Sequence, residues 1–385
     1  MPDMPAWSDE FAPVSPPEPG SGKPEVGTAL CLSGGGYRAM LFHAGALWRL
    51  NELGYLPRLD RISSVSGGSI TAAVLALNWG KLQFDASGVA LRFQECLMEP
   101  VRRMASETID SSSIVGGVLL PGTIAERVQS AYRKTLFGDA TLQDLPDRPR
   151  FVINATNVQS KALWRFSKPY MRDYRVGEVR NPRVSLALAV GASSAFPPFL
   201  SPVVLDLDPS WFTPNSGQDL QTEPYTRRAV LTDGGVYDNL GLETAWRRYQ
   251  TLLVSDGGGG TPDEPTPHTD WPRHVYRVLS LMDNQVGALR KRMLIGSYKL
   301  GLRTGAYWGI RSDIANYALP DALPCPFSKT LAIANTPTRL KALDSVVQER
   351  IVNWGYAICD AAMRRHCLPE APPPRSFPYP AAGLG

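Results

Sequence analysis

Residues 28–54 read TALCLSGGGYRAMLFHAGALWRLNELG. Residues 28–32 are a short apolar run of the kind that forms a buried strand. Ser33, Gly34, Gly35, Gly36, Tyr37 and Arg38 follow as a glycine loop. Over 37–53 apolar residues recur at helical spacing, Leu41, Leu47 and Leu50 among them, and Gly54 ends the helix. Three successive glycines let the backbone approach a ligand closely and aim several N–H groups at one point. The helix behind them adds the positive end of its dipole. Such a loop suits an anion, either a phosphate or an oxyanion that forms during a reaction. It also reads as a plain tight turn.

The same strand–loop–helix unit recurs downstream. Arg61–Val65 predicts a second strand and 69–79 a second apolar helix, with Ser64-Val65-Ser66-Gly67-Gly68-Ser69 spanning the turn. A nucleophile on a strand-to-helix elbow needs small residues two places before and after it, because the backbone crowds there. Ser66 has Ser64 before it, where the common pattern has Gly, and Gly68 after it. A third motif, Asp233-Gly234-Gly235-Val236-Tyr237-Asp238-Asn239, follows a strand at 229–232. A carboxylate at a strand's C-terminal end lies where open α/β sheets place their sites. Asp233 there suits a general base toward Ser66, and Asp next to Gly also suits a turn. Together, an anion loop, an elbow serine and a carboxylate form an acyl-transfer set that needs no histidine, unlike the serine triad.

Rival readings exist for each part. Gly34-x-Gly36-x-x-Ala39 matches the dinucleotide fingerprint, which requires an acidic residue at the end of the second strand, and Asp60 precedes that strand. Asp256, which ends a strand at 252–256 before four glycines, is a second candidate acid. The four histidines, His43, His268, His274 and His366, sit in no motif, and His43 suits packing or a local hydrogen bond.

Elsewhere paired strands are expected at 151–158 and 162–166, a helix at 184–190, a strand at 203–207 and a helix at 242–249. Further helical stretches are expected at 275–295 and 338–364. Residues 82–135 read as mostly helical with a Gly- and Ser-rich interruption near 111–117. Strands alternating with helices predict a mostly parallel sheet covered on both faces.

The motifs, in this order, resemble the patatin-like phospholipase family. The matching stretches are LCLSGGGYRAMLFHAGALWRLNELG, ISSVSGGSI, GASSAFPPFLSPV at 191–203 and LTDGGVYDNLGLE, within a likeness running over 28–256. SGGGYRAM is also similar to the glycine loop of cytosolic calcium-regulated phospholipases. The resemblance implies a three-layer α/β/α sandwich with a mostly parallel central sheet. It implies a lipid acyl hydrolase of phospholipase A or lysophospholipase type, with Ser66 as nucleophile, Asp233 as base and Gly34, Gly35 and Gly36 as the oxyanion hole. Gly68, Gly234 and Gly235 support the motifs, and Arg38 matches an arginine held to contact the lipid phosphate. The substrate implied is a phospholipid or lysophospholipid. No ligand cluster is visible in the residues, so no cofactor and no metal are expected.

Composition agrees with this reading. The chain has 385 residues, 43% hydrophobic and 20% charged, with a net charge of +4. That is an ordinary globular balance, too mildly basic for nucleic acid, and compatible with transient contact at an anionic membrane surface. Five scattered cysteines with no C-x-x-C pair argue against a disulfide framework or zinc site. No signal peptide and no bilayer-spanning run is apparent, so a cytoplasmic protein is expected, peripheral at most to a membrane. Residues 1–26 and 368–385 are Pro-rich and read as tails on either side of a domain at 27–367. Residues 289–311 mix basic with apolar and aromatic groups, and read as a surface helix or an interfacial segment.

Overall fold

The computed structural model describes residues 24–109, 124–198, 200–261 and 263–385. The first tail up to residue 23 and the interruption near 111–117 lie outside the described residues.

In chain order the first half contains β1 (Glu25–Leu32), α1 (Gly36–Glu52), β2 (Arg61–Val65), α2 (Gly67–Leu77), α3 (Glu99–Ala105), α4 (Ile124–Tyr132), β3 (Arg150–Asn157), β4 (Ala162–Phe166), β5 (Tyr170–Asp173) and β6 (Gly177–Arg180). The second half contains α5 (Leu186–Ser193), β7 (Val203–Asp206), β8 (Arg228–Asp233), α6 (Gly235–Asp238), α7 (Glu243–Trp246), β9 (Tyr249–Asp256), α8 (Trp271–Lys299), β10 (Thr304–Gly309), α9 (Phe327–Ala334) and α10 (Ser345–His366).

Alternate residues of the central strands feed two cores. In β1, Leu30 and Leu32 join the larger core while Ala29 and Cys31 join the smaller one with Leu240, Leu242 and Leu294. β9 does the same, with Leu253 on one face and Leu252 and Val254 on the other. A strand buried on both faces reads as a continuous apolar run rather than an alternating one. The central strands β10, β9, β1, β2 and β3 lie parallel in that order. The result is a mostly parallel central sheet flanked by helices.

Beyond β3 the sheet turns antiparallel through β4, β5 and β6. β8 is also antiparallel to β3, pairing Ala155 with Asp233 and Asn157 with Leu231. β2 uses Arg150 to Asn154 of β3 on one edge, and β4 uses Ile153 to Asn157 on the other. β8 therefore lies in line with β2 and runs back toward it, so the C-terminal ends of β2 and β8 meet. Asp233 follows from a strand of the opposite direction to that expected for an all-parallel site, and reaches the same place.

α1 packs closely on α10. A Cβ at Gly45 would stand 2.0 Å from the Val352 carbonyl, and one at Gly355 2.0 Å from that of Phe42, so each helix needs a glycine at the crossing. The stretch from Leu368 has neither helix nor strand. It is fastened to α10 through Asn353, whose Nδ2 donates to the Tyr379 and Gly383 carbonyls at 2.8 Å, and to α1 through Arg49 and the Pro372 carbonyl.

Several expected boundaries move. Residues 289–311 are not one helix: α8 ends at Lys299, and β10 pairs beside β9 as an edge strand. Gly305 and Gly309 hid that strand, yet a Cβ at Gly305 would come within 1.9 Å of the Leu252 carbonyl. The helix expected from 338 starts only at Ser345, after Asp344. The one expected at 242–249 is confined to Glu243–Trp246, because Tyr249 already begins β9. Residues 82–135 are broken by a turn in which Asp85 accepts the Ser87 and Val89 N–H groups.

Candidate active site

Ser66 sits between β2 and α2 with φ 51 and ψ −121, outside the regions a non-glycine residue ordinarily occupies. Its surroundings hold that conformation. The Ser66 N–H donates to Ser193 Oγ at 3.0 Å, and Ser193 Oγ donates to the Asn154 carbonyl at 2.6 Å. Ser69 Oγ lies 2.9 Å from Ser193 Oγ and donates to Ser64 Oγ at 3.0 Å. The buried Ser64 thus takes part in the bracing, where the common elbow has only a glycine. Gly68 is required by close approach, since a Cβ there would meet the Leu32 carbonyl at 2.5 Å.

Asp233 ends β8 and is buried. Its Oδ1 accepts the Gly235 N–H at 2.7 Å, while Oδ2 has no aligned partner among the described residues. The Ser66 hydroxyl is near enough to lower the acid's pKa, although the two are not aligned in a hydrogen bond. Burial dominates and pushes the Asp233 pKa up to about 7, with the Gly235 N–H and Ser66 opposing and the charge of Asp283 adding. Gly234 also lies against backbone, where a Cβ would stand 2.3 Å from the Asn154 carbonyl. The end of α5 ties this strand to the elbow. The Gly234 N–H donates to the Ser193 carbonyl at 3.2 Å and the Asp233 N–H to the Ala195 carbonyl at 3.0 Å.

The glycine loop closes the same site. A Cβ at Gly34 would come within 3.1 Å of Ser66 Cβ. Of the three glycines expected to supply donors, Gly34 has its N–H committed to the Asn239 carbonyl at 3.1 Å. Gly35 and Gly36, at φ 142 and 60, have N–H groups with no acceptor among the described residues. The Ser33–Gly34 peptide is further pinned at its oxygen, which accepts the Gly68 N–H at 3.1 Å and faces His43 Nε2 at 2.9 Å. A carbonyl only accepts, so Nε2 carries the proton and Nδ1 accepts from Ser255 Oγ at 2.8 Å. Ser255 Oγ in turn accepts Trp308 Nε1–H at 2.9 Å. Burial lowers the His43 pKa to about 4, so the ring is neutral near pH 7.

Other sequence candidates are engaged in other contacts. Arg38 is buried and acts as a brace. Its guanidinium donates to the Gly257 and Thr336 carbonyls and to Thr338 Oγ1, the last at 2.8 Å. These contacts make Arg38 a brace between the glycine loop and the segments at Gly257 and Thr336–Thr338. Asp256 is saturated by Lys291 Nζ at 2.7 Å, Tyr307 Oη at 2.8 Å and the Gly258 N–H at 3.0 Å. Burial alone raises its pKa, but Lys291 and these donors outweigh burial and hold it below the usual carboxylate range. Asp60 accepts the Thr28 N–H at 2.9 Å at the start of β2, the wrong end for a dinucleotide ribose. Both ring nitrogens of His43 are engaged away from Ser66. His268 and His274 are exposed near the start of α8, and His366 packs on Tyr317. Beside Gly235 and Asn239 a cleft is walled by Asp256 and Gly258 and by Asp283, Arg290 and Lys291 of α8.

Sequence reading did not single out Ser193 or the Asn239 carbonyl as parts of this site. Ser193 lies among small residues at 191–195 that form no motif of their own, and a backbone carbonyl leaves no side-chain signature.

Comparison with known proteins bears on the whole arrangement. The family model described as patatin-like phospholipase matches residues 30–246. Among curated proteins none matches the chain. Human GIVD cytosolic phospholipase A2 is similar in structure, with a TM-score of 0.51 at 13% identity over 88% of this chain and 62% of that one. The same protein in complex with methyl gamma-linolenyl fluorophosphonate gives a TM-score of 0.52 at 12% identity, over 88% and 58%. At such identity the likeness concerns the fold alone, and this chain spans less than two thirds of either solved chain.

Proposed function

The chain belongs to the patatin-like phospholipase family, and we propose that within it the protein is a serine-dependent lipid acyl hydrolase acting through Ser66 and Asp233. The substrate class is a phospholipid or lysophospholipid, cleaved at an acyl ester as by a phospholipase A or lysophospholipase. The observation that carries this reading is the meeting of β2 and β8, which sets a strained serine beside a buried acid whose pKa is raised to about 7.

In the first half-reaction Asp233 takes the Ser66 proton as Oγ attacks the ester carbonyl carbon. The tetrahedral oxyanion meets the N–H groups of Gly35 and Gly36, which need no reorganisation when charge develops. Collapse breaks the carbon–oxygen bond to the alcohol, which takes the proton from Asp233 and leaves an acyl-Ser66 ester. In the second half-reaction water gives its proton to Asp233 and attacks that ester. The fatty acid departs and Ser66 regains its proton. A base with a pKa near neutrality accepts and returns protons with little driving-force penalty in either direction.

A fluorophosphonate probe tests the assignment. It should label the wild-type protein covalently at Ser66 and fail to label Ser66→Ala. Equal labelling of both proteins, or none of the wild type, refutes the reading.

A further inference from the structure

Helix α8 forms one wall of the cleft beside Gly235 and Asn239 with Asp283, Arg290 and Lys291, yet most of its remaining surface is open to solvent. Val275, Val278, Met282, Val286, Leu289 and Met293 follow one another at steps of three or four, beginning one turn after Trp271. That spacing gathers them in one stripe. Each is at least 40% exposed, and Trp271 is 78% exposed. Single exposed apolar side chains are ordinary, but a continuous row along a 29-residue helix marks a surface that something covers.

The charges choose the occupant. α8 carries six basic residues, Arg273, Arg277, Arg290, Lys291, Arg292 and Lys299, against one acid, Asp283. Four of the six pair with acidic side chains outside the helix, while Arg292 and Lys299 are exposed with no ion-pair partner among the described residues. A second copy of the helix laid along the stripe would meet the same excess of cations, without the opposite charges that set such pairings. An anionic lipid surface meets the apolar row with acyl chains and the unpaired cations with head groups. No helix among the described residues is long and apolar enough to cross a membrane, so α8 would lie in the interface.

We infer that the apolar stripe of α8 is the surface by which this protein docks on an anionic membrane, bringing the cleft wall formed by the same helix to the lipid. The inference rests on the lipid hydrolase reading for its functional sense, although the docking itself is a separate property.

The test uses the full chain carrying Ser66→Ala, so that vesicles are not consumed. Co-sedimentation with vesicles of phosphatidylglycerol and phosphatidylcholine is expected at low salt, weakening at high salt and with phosphatidylcholine alone. Adding Val278→Glu and Met282→Glu should lower the partition coefficient roughly tenfold or more. A thermal melt checks folding, and the milder pair Val278→Ser and Met282→Ser gives a smaller loss in the same direction if the glutamates disturb the helix. Failure of the parent to bind, or equal binding by parent and variants, overturns the docking. So does light scattering that shows a parent dimer made monomeric by the substitutions, since a second copy would then cover the stripe. Hydrolysis of a soluble short-chain ester by the wild type is read separately. If it is absent while vesicles still bind, the hydrolase reading falls and the docking stands. If it is present without vesicle binding, the reverse holds.

Discussion

Ser193 Oγ accepts the backbone N–H of Ser66 at 3.0 Å, and this bond holds Ser66 in a conformation it would otherwise leave. The Ser193 carbonyl takes the Gly234 N–H at 3.2 Å, so one residue at the end of α5 registers the elbow against the acid. Ser193→Ala removes the first contact together with the Ser193 Oγ bonds to the Asn154 carbonyl and to Ser69 Oγ, and keeps the second. Losing this buried hydrogen-bond cluster should cost roughly 1–3 kcal/mol in stability, a shift of a few degrees in melting temperature. Separately, kcat should fall on the order of tenfold or more, because Ser66 is no longer held in place. Steady-state kinetics on a soluble ester beside a thermal melt check this. A kcat that falls no further than the stability loss accounts for would make Ser193 only a packing residue.

On the proposed dyad, Asp233 sets the pH dependence. As a base it works only when ionised, so kcat/KM should rise as pH passes about 7 and level off above. A profile flat from mildly acid to mildly alkaline pH would remove Asp233 as the titrating group. Stability should run the other way. The folded state raises this pKa above its unfolded value, so the folded protein holds the proton more tightly, and stability falls as pH rises through about 7. Asp233→Asn should therefore abolish turnover while melting a few degrees above wild type at alkaline pH, an advantage that fades at acid pH. By contrast Asp256→Asn breaks a satisfied ion pair with Lys291, and its main effect should be a lower melting temperature.

The two strand–loop–helix units around Gly34–Gly36 and Ser66 were legible because apolar period and glycine placement occur within a few residues of each other. The direction of β8 was not, because it depends on which edge of β3 is free once β2 and β4 have paired, and nothing in the residues of 228–233 encodes that. β10 was hidden by Gly305 and Gly309, which read as breakers in a linear string but here allow an edge strand to press on β9. The His43 network was only partly legible. A histidine in a buried helix signals packing or a local bond, while its partners Ser255 and Trp308 lie more than two hundred residues away.

His43 is a positioning residue by this geometry, since it holds the Ser33 carbonyl and with it the start of the glycine loop. Replacing it with Leu leaves that carbonyl one donor short and should lower kcat with KM nearly unchanged. His43→Gln keeps an N–H near the place of Nε2 and should recover much of the loss. Equal defects in both variants would assign His43 to packing alone. The 15N shifts of the wild-type imidazole supply a second readout, and should report a neutral ring protonated at Nε2.

The glycine loop gives the sharpest test of the oxyanion assignment. Gly35 combines φ 142 with a tight fit, since a Cβ there would lie 2.8 Å from the Gly257 carbonyl. Gly35→Ala must therefore shift the loop, and the Gly35 and Gly36 N–H groups lose their aim. Those groups meet full charge only in the tetrahedral intermediate, so the loss belongs to kcat more than to KM. Removing one such donor typically costs ~10²–10³ in kcat. Gly34→Ala acts differently. Its N–H is already committed to Asn239, and its added methyl would meet Asn239 Oδ1 at 2.4 Å and Ser66 Cβ at 3.1 Å, so it should disturb probe labelling of Ser66 and stability together. A melt taken beside the kinetics separates a displaced loop from an unfolded protein. If Gly35→Ala melts normally and keeps full turnover, the two free N–H groups are not the oxyanion donors, and the charge of the intermediate must be met elsewhere in the cleft.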